Sequence, residues 1–131
     1  MYLNYIISSL TLLFLDFIWI KMYMGKKYEI LINKIQNSKI KIKYIFAFFA
    51  YLLMLVGLNF FVIPKIRKTN KLIDSIKYGF LFGVIVYGIY DMTCAAIFSD
   101  WDIKLALVDI IWGGFVFFIS TYIGSFFIKQ T

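Results

Sequence analysis

The stretch YGFLFGVIVYGIYDMTCAAIF, Tyr78 to Phe98, decides the fold. It runs 21 residues with one charge, Asp91. At about 1.5 Å of rise per residue, a helix of that length crosses the roughly 30 Å hydrocarbon core of a bilayer. Three further runs have the same character. They are residues 3–22, with Asp16 as the only interior charge, residues 44–63, uncharged and closed by Pro64, and residues 105–128, containing Asp109. The expected fold is all-α: a polytopic membrane protein with four transmembrane helices in one antiparallel bundle, a single domain over residues 1–131.

Composition agrees. Hydrophobic residues make up 63% of the chain, against roughly 45–50% in soluble domains. Charged residues make up 16%, against about 25%. A soluble protein of 131 residues could not bury that much apolar surface. The first run lacks a basic leader region and a small-residue cleavage site, so it reads as a retained helix.

The chain has no histidine and one cysteine, Cys94. Ser-His-Asp and Cys-His machinery is therefore excluded, no disulfide can form within the chain, and no cofactor is expected. Carboxylates alone leave the identity of any bound metal open. The net charge of +7 does not point to nucleic acid, because the lysines fall in the gaps between apolar runs. The expected partner is the lipid bilayer. Loop one, residues 23–43, interleaves lysines with Ile30, Leu31, Ile32 and Ile35. It reads either as an interfacial helix or as a solvated loop. Loops one and three carry eight basic residues with the flanking Lys21, against six on the opposite side. The positive-inside rule then places loops one and three in the cytoplasm.

Asp16, Asp91 and Asp109 lie about five to seven residues from the ends of their helices, all toward the loop-one and loop-three face. At 1.5 Å per residue they share a layer roughly 8–10 Å deep. Carboxylates inside a membrane are costly and face a bundle interior or a wet cavity. Tyr87 and Cys94 share the face of Asp91, with Tyr90 and Thr93 flanking it. Trp19 follows Asp16 by three residues, and Trp112 and Gly113 follow Asp109 by three and four. Gly79 and Gly83 form a G-x-x-x-G step on the third helix, suited to close packing within or between protomers. Such a carboxylate layer is expected to share a proton or hold a cation, with loading that follows pH.

The segment YGIYDMTCAAIFSDWDIKLALVDIIWGG, Tyr87–Gly114, resembles the signature of the domain-of-unknown-function 2177 family, small four-span membrane proteins. The family pattern has a Tyr-Asp-Leu-Thr-Asn run on helix three, a Trp in the short loop, and Val-Asp and Trp-Gly on helix four. Leu15-Asp16 and Ile18-Trp19 match its first-helix pairs. The resemblance covers essentially the whole chain and carries over Asp16, Trp19, Tyr90, Asp91, Thr93, Trp101, Asp109, Trp112 and Gly113. Cys94 departs from it, standing where the pattern has Asn. The resemblance implies the four-span fold and the polar layer, and no biochemical role.

Three functional classes fit these residues. The first is a transporter-like protein that binds or moves a proton, a cation or a small polar solute at the aspartate layer, with a homodimer expected because four helices are few for a carrier. The second is a membrane-embedded lipid-binding protein or enzyme. For an enzyme no nucleophile–base pair is evident, and Cys94 has no activating cation beside it. The third is a structural or accessory subunit whose aspartates lock helices together.

Overall fold

A computed structural model describes residues 2–129. Among these residues the chain forms four helices and no strand: α1 (Leu3–Gln36), α2 (Tyr44–Lys65), α3 (Lys68–Ile97) and α4 (Ile103–Ser125). Each is long and apolar enough to cross a membrane. The first three each contain one widened π turn, at Ile20–Met24, Leu58–Val62 and Ser75–Phe80. Such a turn adds a residue to the helix and rotates the face that follows.

The first helix does not stop at the end of its apolar run. It continues to Gln36, so residues 23–36 are helical and only 37–43 connect to α2. Nothing between Leu3 and Gln36 breaks the helix. The break comes at Asn37, whose φ of 56° is left-handed, a conformation asparagine tolerates at a helix end. The extension is held by packing. Tyr28, Leu31, Ile32 and Ile35 recur at helical spacing and cover Cys94, Trp101 and Ala106 at the turn between α3 and α4. That turn is short because Asp102 caps α4, its Oδ1 accepting from the Leu105 amide at 3.2 Å.

α4 is the central helix, with α1 and α3 packed against it. Its buried positions are mostly small or polar: Ala106, Gly113, Gly114, Ser120, Thr121, Gly124 and Ser125. Between membrane helices, small residues let backbones approach and gain dispersion contacts. A Cβ on Gly83 would lie 2.0 Å from the Gly113 carbonyl oxygen, so α3 and α4 touch backbone to backbone there. Gly79 also faces α4, against Thr121 and Phe117. The glycine step is thus used inside the protomer, because its face meets α4.

The large apolar side chains point the other way. Phe14, Phe17, Phe48, Phe60, Ile89 and Ile111 are all exposed on the outer surface. In a bilayer these face acyl chains, so exposure carries no hydrophobic penalty. The first half of α2, residues 44–53, is almost wholly exposed. Its second half reaches the core, where Leu58, Val62 and Ile63 meet Leu12, Val116 and Phe117.

At the opposite end, Arg67 and Asp74 pair at 2.9 Å. The Arg67 amide, Nε and a terminal nitrogen all donate to the buried Asp74 carboxylate. These bonds hold the guanidinium above its ordinary range. They also tie the α2–α3 connection to the start of α3.

Candidate functional site

The three intramembrane aspartates are all buried. They do not form one cluster. Asp16, on α1, accepts from the hydroxyls of Tyr51 on α2 (2.6 Å to Oδ2) and Tyr87 on α3 (2.5 Å to Oδ1), and from Trp112 Nε1 on α4 (3.1 Å to Oδ1). One carboxylate therefore receives a donor from each of the other three helices. Its partners are neutral, and a phenol or an indole can serve only by donating here.

Asp91 and Asp109 form a separate pair. The Tyr28 hydroxyl donates to Asp91 Oδ1 and lies 3.3 Å from Asp109 Oδ2. Trp19 Nε1 reaches Asp109 Oδ1 at 3.4 Å. Asp91 Oδ2 is buried and has no hydrogen-bond partner among the described residues. The pair sits about one turn closer to the loop-one face than Asp16. Tyr87 precedes Asp91 by four residues on the rising α3, and Trp112 follows Asp109 by three on the descending α4, yet both bond to Asp16. One turn is about 5 Å.

The tryptophans bridge the two levels. Trp19 and Trp112 stack with ring centroids 4.6 Å apart and planes 8° from parallel. Trp19 donates to the outer carboxylate pair and Trp112 to the inner carboxylate. The single layer read from depth thus resolves into two levels joined by stacked indoles. Side-chain direction, which residue depth alone does not encode, separates them.

A family model described as a predicted membrane protein (DUF2177) matches residues 1–126. The chain belongs to that family. No curated protein and no solved structure matches it. In this DUF2177 protein the residues carried over from the resemblance divide into groups. Asp16, Trp19, Asp91, Asp109 and Trp112 carry the two levels, as does Tyr87. Gly113 lies against the Tyr87 ring and leaves room for it. Tyr90 is half-exposed and sits edge-on to Tyr28 and Trp101. Thr93 is exposed, because the second residue after Asp91 faces nearly the opposite side of the helix. Cys94 is buried with Leu31, Trp101 and Ala106 in an apolar cluster.

Two further members of the site, Tyr28 and Tyr51, lie outside the three apolar runs that contain an intramembrane aspartate. Tyr28 lies beyond the expected end of the first span, so its reach to Asp91 depends on the continued helix. Tyr51 carried a signal. It is seven residues into α2 from the loop-one face, about 10 Å deep, the level of the aspartates. Among the described residues the one ion pair is Arg67–Asp74, so no Lys or Arg neutralises the intramembrane carboxylates. No group of three or more acidic or cysteine ligands suited to a metal ion occurs among the described residues.

Proposed function

We propose that this integral membrane protein binds and exchanges a proton at the Asp91–Tyr28–Asp109 centre. The observation that carries the reading is the sharing of one phenol hydroxyl by two buried carboxyl groups. A hydroxyl has a single proton to donate. With Tyr28 donating to Asp91, the Tyr28 oxygen is free to accept from Asp109 only when Asp109 carries a proton. Two close carboxylates without a counter-cation favour that singly protonated state. The proton then has a defined route: from Asp109 to the Tyr28 oxygen, with the Tyr28 proton passing to Asp91. Among a proton, a cation and a small polar solute, the neutral donor set favours the proton.

Infrared difference spectroscopy of the purified protein across about pH 5–9 tests this directly. The expected result is a carboxylic-acid carbonyl band in wild type that Asp109→Asn and Asp91→Asn each remove. Two fully ionised carboxylates throughout that range would overturn the reading. A melting temperature that responds to Na⁺, K⁺, Mg²⁺ or Ca²⁺ in wild type but not in Asp91→Asn would replace the proton with a cation.

A second observation favours a structural role for Asp16. Its three donors come from three different helices, so it acts as a lock for the bundle.

A further inference from the structure

We propose that the cleft between the α1 extension and the first turns of α4 binds the phosphate of an anionic phospholipid. This inference is independent of the proton centre. The cleft has a volume of about 470 Å³ and is open to the surface. Three lysines line it: Lys27 and Lys34 from α1 and Lys104 from the start of α4. Their side chains are exposed, and none pairs with a carboxylate among the described residues. Lys27 Nζ is poised 5.8 Å above the Tyr23 ring, which also lines the cleft.

The charge has an apolar companion. Ile30, Leu31, Leu105 and Val108 complete the wall. Leu105 and Val108 lie where α4 enters the membrane, immediately before Asp109. The site therefore offers cations at the headgroup level and a hydrocarbon surface running inward from them. A free anion has no use for that surface, whereas a phospholipid matches both parts. Lys27 and Lys34 are seven residues apart, about 10 Å along one helix face, so together with Lys104 they flank a headgroup. Asp102 is the one acid in the lining and opposes the ligand's charge.

The test is native mass spectrometry of the full chain released from mixed phosphatidylglycerol and phosphatidylcholine micelles. Wild type is expected to retain phosphatidylglycerol in preference. Each lysine removed should weaken retention about fivefold, so the combined Lys27→Gln, Lys34→Gln and Lys104→Gln variant should lose the preference. The control that removes Lys39, Lys41 and Lys43 instead, also to Gln, should keep it. Asp102→Asn preserves the helix cap and should tighten retention. Slow maleimide labelling of Cys94, which lies under the same extension, confirms that a variant is folded. If the triple variant fails that check, Lys104→Gln alone decides. Unchanged retention in the cleft variants, or equal loss in the control, overturns the proposal. So does competition by inorganic phosphate at the same concentration as the lipid, which would make the site one for free anions.

Discussion

Asp16 and the Asp91–Asp109 pair answer the same problem, a carboxyl group in hydrocarbon, in different ways. Asp16 is surrounded by three donors. Removing its carboxylate strands two phenols and an indole inside the bundle. Hydrogen bonds between membrane helices contribute about 0.6 kcal/mol on average and about 1.7 at most. Asp16→Leu should therefore lower stability by roughly 2–5 kcal/mol, three such bonds. Equilibrium unfolding in SDS measures this, and a change within error of zero would remove Asp16 from the role of lock. Tyr28→Phe removes one hydroxyl and keeps the ring, which stacks on Trp101 at 5.3 Å. Folding should be nearly preserved. The carboxylic-acid infrared band should shift, because Asp91 and Asp109 would lose the hydroxyl between them.

The helices have unequal tasks. α4 is the most buried of the four helices and its inner face is lined by small residues, so its neighbours sit on its backbone. Gly83 has no free space toward Gly113. Gly83→Leu must separate α3 from α4, and with them Asp91 from Asp109. The single cysteine reports on this. Cys94 is buried in wild type, and its maleimide labelling should accelerate at least tenfold in Gly83→Leu, about 1.4 kcal/mol of easier opening. Labelling as slow as in wild type would show that the two helices can part without loosening the bundle. The α1 extension is the other decisive element. Leu31→Ala removes its most buried contact with Cys94 and Trp101, so labelling should accelerate there as well, with the membrane-crossing part of α1 intact.

For the molecule as a whole, polarity is distributed inside out relative to a soluble bundle. Phenylalanines and isoleucines face outward, and aspartates, serines and glycines face inward. The two ends differ. One is clamped by Arg67 and Asp74, whereas the other is covered by the α1 extension. Arg67→Gln should loosen the α2–α3 connection without affecting the carboxyl pair. Hydrogen exchange should rise in residues 66–75 and remain unchanged around Asp91. A proton centre also predicts a whole-molecule property. The melting temperature of wild type should vary with pH across about pH 5–9, and Asp109→Asn should flatten that dependence. Identical profiles would assign the dependence to groups outside the pair.

The four spans, the burial of the aspartates and the family were legible in the sequence, because bilayer crossing depends on length and hydropathy, which are local and additive along a chain. Depth counting also brought Asp16, Asp91 and Asp109 close to one level. It could not say that one of them would stand apart. That depends on which way each side chain points and on π turns that rotate helix faces, and neither leaves a periodic trace in residue type. Tyr28 shows the limit most clearly. Its polar-looking segment resembles a loop, and it becomes part of the site only because Leu31, Ile32 and Ile35 find Cys94, Trp101 and Ala106 to pack on. The sequence by itself determined that this chain crosses a membrane four times with acids inside. Tertiary packing, which joins residues far apart in the chain, decided that Asp16 meets donors from three other helices while Asp91 and Asp109 meet at the Tyr28 hydroxyl.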